Sequence, residues 1–208
     1  MKTKPRRSYR PIPRRFYGRP AEIVAPDLLG HILVRILGDG TTLAGRIVET
    51  EAYLGEGDPA SHSARRMTDV TRHLWGPPGV AYIYLCMGMY YCLNVVTEPR
   101  GRAGCVLLRA IEPTEGLEQM RVRRPTAKKD NDLCSGPGKL CRAFDLDKRL
   151  NGADMTSGPF FIASGPRKAL AVHVSPRIGI RKAADWPLRF YIPGNPNVSK
   201  FGVRKENK

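Results

Sequence analysis

The sequence predicts a single mixed α/β (α+β) domain, a curved antiparallel β-sheet surrounded by helices and long loops. Two observations carry that prediction. The chain has 208 residues, 41% of them hydrophobic, which is enough for one well-formed core. Its strand-like runs come in neighbouring pairs joined by glycine-containing turns, the pattern of hairpins and so of antiparallel pairing.

Residues 1–15 contain Lys2, Lys4, Arg6, Arg7, Arg10, Arg14 and Arg15, three prolines and no acid, so a disordered basic arm is expected there. The folded domain is expected over 16–200, with a short basic tail over 201–208. Pro20 to Gly30 reads as a short helix closed by Gly30. His31 to Leu37 is a strand that turns through Gly38-Asp39-Gly40 into the next strand and completes a hairpin. Glu56 to Gly79, rich in Gly, Pro, Ser and charge, reads as loop with a helical turn between Thr68 and Trp75. Val80 to Cys86 and Tyr90 to Val96 are aromatic and β-branched runs flanking Met87-Gly88-Met89, a second hairpin. Cys105 to Ile111 is an apolar strand interrupted by Arg109. Thr114 to Arg123 reads as a helix with Thr114 as its N-cap, and a further helix begins near Ser135 to Lys139. Short strands are expected at Leu170 to Val174 and Leu188 to Ile192.

Thirty-five Lys and Arg against 19 Asp and Glu give a net charge of +16, an excess that attracts a polyanion and makes binding salt-dependent. Nucleic acid is the leading partner class. Anionic lipid ranks below it, because no basic helix has a continuous apolar face and no apolar run approaches membrane-spanning length. The five cysteines, at 86, 92, 105, 134 and 141, are odd in number and mostly sit in apolar runs, as expected of reduced core residues in an intracellular protein. Cys134 and Cys141 have no second pair to match them, so no metal site is expected. No apolar stretch follows the first arginines, which argues against a secretion signal.

The stretch Gly45 to His62, GRIVETEAYLGEGDPASH, places ionisable and aromatic groups on a segment that otherwise reads as a buried strand. Alternation puts Ile47, Glu49, Glu51 and Tyr53 on one face and Val48, Thr50 and Ala52 on the other. Two carboxylates sharing a buried surface raise each other's proton affinity, which is how a protein obtains a general base near neutral pH. An edge strand with a solvated acidic face is the competing reading. Tyr82 and Tyr84 lie on one face of their strand, able to stack on a flat heterocycle or to serve as packing residues. Asn94 and Arg109 are polar groups in apolar runs and need partners if buried. For Arg109 the natural partners are Glu51 and Glu49, either in a site or in a structural salt bridge. Arg121, Arg123, Arg124, Lys128 and Lys129 form a second basic patch. Ser135-Gly136-Pro137-Gly138-Lys139 exposes backbone amides ahead of a helix, but Leu140 follows the lysine, so it is not a nucleotide-hydrolysing loop. H-E-x-x-H and G-x-S-x-G are absent.

Taken in order, GRIVETEAYLG with His62 beyond it, YIYLCMGMYYCLN, GCVLLRAIEP, LCSGPGKLCRAF and PLRFYIPGNPNVS resemble the alkyladenine (3-methyladenine) DNA glycosylase family. The resemblance spans about Phe16 to Ser199. It implies a cofactor-independent, monomeric enzyme that flips a damaged purine out of double-stranded DNA and hydrolyses its N-glycosidic bond. It also implies that Glu51, and not Glu49, is the general base, a choice that spacing alone leaves open. By the same resemblance Arg109 helps to hold the attacking water, Tyr53, His62 and Tyr84 sandwich the extruded base, and Asn94 crowds the guanine 2-amino group. The resemblance further implies that a β-hairpin contacts the DNA minor groove. At its tip the family commonly places a tyrosine wedge, where this chain has Met87, an apolar wedge that stacks less well than a ring. Glu98 to Arg102 reads as an insertion whose two arginines add phosphate contacts. A non-catalytic nucleic-acid-binding protein on the same fold is the alternative, and Glu51, Arg109, Tyr53, Tyr84 and Asn94 together argue against it. An RNA-directed enzyme would require selectivity for ribose.

Overall fold

A computed structural model describes residues 8–64, 67–166 and 170–200. Its centre is one sheet of eight antiparallel strands: β1 (Ile32–Ile36), β2 (Thr42–Tyr53), β3 (Ala81–Cys86), β4 (Tyr90–Val96), β5 (Cys105–Glu115), β6 (Phe160–Ala163), β7 (His173–Ser175) and β8 (Arg189–Tyr191). The order is β3-β4-β5-β2-β1-β6, and β8 joins β2 beyond the end of β1, with β7 outside it. The long β2 is therefore shared. Its first half pairs with β1, its second half with β8, and its other edge with β5 along almost its whole length.

Both expected hairpins form, because their turn chemistry and alternation are local. The β1–β2 turn uses Gly40 at φ +81°. The β3–β4 turn places Met87 at φ +48° and Gly88 at φ +69°, the left-handed pair whose twist matches that of paired strands. Glycine adopts that conformation freely, whereas methionine does so at a cost of about 1 to 2 kcal/mol.

Among the described residues four short α-helices accompany the sheet: α1 (Arg14–Tyr17), α2 (Ala21–Asp27), α3 (Leu117–Arg123) and α4 (Pro137–Ala143). Helix α2 packs on β2, and α4 packs on β4 and β5. Between them runs the main core, which takes Val24 from α2 and Leu28 from its C-cap, Leu140 from α4, and Ile83, Leu93, Val106 and Leu108 from the strands. The intervening strand residues face the other way, and Tyr82, Val96 and Cys105 form a smaller apolar cluster under the 3₁₀ segment Thr71–Trp75.

Three expectations are corrected, and one strand is added to those expected. Strict alternation fails in β2, because register shifts against β5 on either side of Glu49 send Ile47 into the main core while Glu49, Glu51 and Tyr53 stay on the opposite face. Thr114 does not cap a helix. Pairing with the start of β2 carries β5 to Glu115, and Gly116 at φ +76° turns the chain into α3. Residues 8–15 are packed and not disordered: Ile12 is buried and its N–H donates to the Ile162 carbonyl at 2.9 Å, while Arg14 ion-pairs with Asp154. The rest of the expected arm, and the tail over 201–208, lie outside the described residues. Strand β6 was not anticipated, and it pairs with β1 at the sheet edge.

Candidate active site

Glu51 sits near the C-terminal end of β2, opposite Leu107 of β5, with its side chain fully buried. Its two oxygens are engaged. Oε1 accepts from the Ile178 N–H at 2.7 Å, and Oε2 accepts from the Tyr53 hydroxyl at 3.0 Å and faces Arg109 Nη1 at 3.3 Å. Burial raises the proton affinity of Glu51, and Arg109, the Ile178 amide and the Tyr53 hydroxyl oppose that rise without cancelling it. Burial likewise drives the Tyr53 phenol far above its ordinary range, so its hydroxyl keeps its proton and is the donor in this bond.

Glu49 is equally buried, but its environment is different. It accepts four hydrogen bonds, from Arg109 Nε at 3.1 Å, Arg189 Nε at 2.7 Å, and Ser199 N and Oγ at 2.7 Å each. Two of these four donors are cationic, so the carboxylate is tied into the protein on both oxygens. The geometry thus separates two glutamates that spacing could not. Arg109 reaches both carboxylates, which satisfies the requirement that its place in an apolar strand imposes.

Two cavities meet above this pair. One of about 420 Å³ is lined by Tyr53, His62, Tyr82, Tyr84 and Asn94. The other, of about 770 Å³, takes in Tyr53, Tyr84, Arg109, Lys139 and Ile178. Tyr53, Tyr84, Met87, Gly179 and Ile180 border both. The His62 ring meets Tyr84 edge-on, with centroids 4.5 Å apart at 71°, and its Nδ1 lies 2.7 Å from the Tyr82 hydroxyl. Tyr82 stacks on Tyr84 at 5.4 Å. These three rings touch one another and make one wall. Asn94 Nδ2 donates to the Tyr82 carbonyl at 3.1 Å, and the Cys105 thiol lies 3.7 Å from Asn94 Oδ1.

Met87 stands at the hairpin tip, 72% exposed, with Met89 and Leu85 also exposed beside it. An apolar tip held in a strained left-handed turn beside the cavities is the kind of feature that functional loops retain. Among other sequence-derived features, Arg100 and Arg102 are exposed, and Glu98 accepts from the Ala21 N–H at the start of α2. The second basic patch is partly neutralised, since Arg121 pairs with Glu118 and Asp130. In the glycine-rich segment, Lys139 Nζ donates to Ser135 Oγ at 3.1 Å. No group of three or more His, Cys, Asp or Glu side chains among the described residues is arranged to hold a metal ion, and no helix there is long and apolar enough to cross a membrane.

The family model for methylpurine-DNA glycosylase (MPG) matches residues 15–196. The chain belongs to that family. Among relatives of this glycosylase, a putative 3-methyladenine DNA glycosylase of Methanocella arvoryzae is 50% identical over 193 residues, covering 91% of this chain and 96% of its own. The DNA-3-methyladenine glycosylase of Mus musculus is 46% identical over 200 residues, and that match takes in 88% of this chain but only 60% of the mouse protein. A putative 3-methyladenine DNA glycosylase of Alkaliphilus oremlandii is 44% identical, over 91% and 98% of the two chains.

Several residues that hold this glycosylase's site together were not singled out from sequence. Arg177 is fully buried, pairs with Asp58, donates to the Ala52 carbonyl at 3.1 Å, and lies 4.7 Å over the Tyr53 ring. Asp58 in turn accepts from the Leu54 and Ala60 N–H groups, which fixes the loop leading to His62. Asp-Pro in a glycine-rich loop was a readable turn signal, and Arg189 in PLRFYIP was a charge in an apolar run. Nothing local marked Arg177 or Ser199, because each acts through residues over a hundred positions away.

Proposed function

We propose that this chain is a monofunctional DNA glycosylase that hydrolyses the N-glycosidic bond of alkylated or deaminated purines flipped from double-stranded DNA, the opening step of base excision repair. Its substrates include 3-methyladenine, 7-methylguanine, hypoxanthine and ethenoadenine, and it works as a monomer in a DNA-containing compartment of the cell. The observation that carries this reading is Glu51: a buried carboxylate of raised proton affinity, held by Arg109 beneath an aromatic cleft in a chain of charge +16.

The target atom of a purine nucleotide is unreachable inside a duplex, so the nucleotide leaves the stack at a cost of a few kcal/mol, least when the base is damaged. The wall of His62, Tyr82 and Tyr84 and the facing Tyr53 offset that cost by stacking, at roughly 1 to 3 kcal/mol per base. Met87 fills the gap left in the duplex. Asn94 crowds a guanine 2-amino group.

Water then attacks the anomeric carbon. Glu51 takes its proton, the new C–O bond forms, and the electrons of the glycosidic bond leave with the base. An alkylated cationic purine departs neutral, while a neutral base needs a proton as it leaves. Glu51 Oε1 accepts only from the Ile178 N–H, so a lone pair on it is left for the attacking water, while the Tyr53 hydroxyl and Arg109 hold Oε2. Single-turnover excision on duplexes carrying each of the four lesions tests the reading. Release of free base from at least one lesion supports it, and binding without base release from any of them would favour a non-catalytic DNA-binding protein.

A further inference from the structure

Glu49 lines neither cavity, yet its charge is completely buried among two arginines and a serine. Taking a carboxylate out of water is costly unless hydrogen bonds replace its hydration, and here four donors do so. Oε1 receives Arg109 Nε, Arg189 Nε and Ser199 Oγ, and Oε2 receives the Ser199 N–H. Arg189 is itself held by Ser175 of β7 at 3.1 Å. Ser199 follows the Asn195–Asn197 turn, in which Asn195 Oδ1 accepts from Asn197 N and Nδ2 at 2.9 Å each. The segment after β8 thus closes onto the back of the site.

The consequence falls on Arg109. A guanidinium is planar and rigid, so anchoring Nε to Glu49 fixes the plane and aims Nη1, which faces Glu51 Oε2. We propose that Glu49 is a positioning residue, clamped by Ser199 and Arg189 so that it holds Arg109 in the orientation that keeps Glu51 ionised. The proposal rests on Glu51 being the general base. It makes the C-terminal segment through Ser199 part of the catalytic apparatus, although Ser199 touches neither cavity.

Charge and position have opposite signs here. The charged or titratable groups around Glu51 are Arg109 from β5, Tyr53 and Glu49 from β2, and the Arg177–Asp58 pair behind Tyr53, with Arg189 of β8 on the far side of Glu49. The negative charge of Glu49 by itself raises the proton affinity of Glu51, whereas a well-placed Arg109 lowers it. If Glu49 acted only as a nearby charge, neutralising it would move the acid limb of the rate profile to lower pH. If it positions Arg109, neutralising it moves the limb to higher pH.

The test is the single-turnover rate against pH on a 7-methylguanine duplex, whose leaving base needs no proton, together with duplex affinity by fluorescence anisotropy. In Glu49→Gln either amide orientation sets a donor against a donor, at the Ser199 N–H or at the two Nε groups. The expected result is a rate lowered by about 10- to 100-fold at pH 7 with affinity within about threefold of wild type, and an acid limb moved upward. Ser199→Ala, which removes one donor and leaves β2 intact, moves the limb the same way by less, and decides the matter alone if Glu49→Gln does not fold. Limbs that stay in place or move to lower pH overturn the proposal. Glu51→Gln run alongside separates the two readings. If it is inactive while the other variants keep the wild-type profile, only the positioning role fails, and if it retains the wild-type rate, the assignment of the base fails as well.

Discussion

Replacing Arg109 by methionine removes the cation that opposes the burial of Glu51. The size of the effect follows from the separation of the two charges, 3.3 Å. At an effective dielectric of about 20, unit charges that close attract by about 5 kcal/mol. The Arg109 side chain is 8% exposed and that of Glu51 not at all, so screening by bulk water or salt reduces the figure only in part. Even a third of that energy, about 2 kcal/mol, changes the ratio of ionised to protonated Glu51 by more than tenfold. Because a general base works only when deprotonated, the rate falls as pH drops through the raised pKa of Glu51. Loss of Arg109 therefore moves that limb further up. At pH 7 the single-turnover rate drops by about 10²- to 10³-fold, and part of it returns as pH rises towards 9. Stability also falls, by about 3 to 5 kcal/mol, because two buried carboxylates lose a partner. The assay is accordingly run well below the variant's own Tm. A variant whose limb coincides with that of wild type, or lies below it, refutes the argument.

Tyr53→Phe keeps the ring and deletes the hydroxyl that donates to Glu51, so the acid limb moves to higher pH while binding of lesion duplex persists; a limb moved to lower pH contradicts the bond seen here. Met87→Tyr gives the exposed tip a ring that stacks in the duplex gap, and slows release of ethenoadenine duplex in stopped-flow fluorescence; unchanged or faster release counts against Met87 as the wedge. Asp58→Asn leaves Arg177 charged and poorly paired in a fully buried place and costs about 3 to 5 kcal/mol in chemical denaturation, where a loss below about 1 kcal/mol would mean the pair is not buried in solution.

The hairpins were readable because alternation and glycine turns act within a few residues. The bulge in β2 was not, since it depends on the register that β5 imposes from sixty residues away, and it alone moves Ile47 off the face of Glu49 and Glu51. Thr114 was misread for a similar reason: its own preference for a cap yields to pairing with β2, where its hydroxyl donates to the Ala44 carbonyl. Composition misled at residues 8–15, where a single buried Ile12 and the pairing of Pro11 with Ala163 outweigh the basic residues around them. In the site, Arg109 and Asn94 were visible as polar groups in apolar runs, and the structure gives each the partner that burial demands. The different surroundings of Glu49 and Glu51 were not visible, because they come from Arg189, Ser199 and the Ile178 amide, all from the far end of the chain.

The central claim is that Glu51 removes a proton from the attacking water. It is tested most directly by single-turnover excision of 7-methylguanine by Glu51→Gln, whose amide oxygen can still accept from the Ile178 N–H and so keeps the pocket shaped. The account predicts duplex binding close to that of wild type and a rate lowered by about 10²- to 10⁴-fold at every pH tested. Excision at the wild-type rate would contradict it.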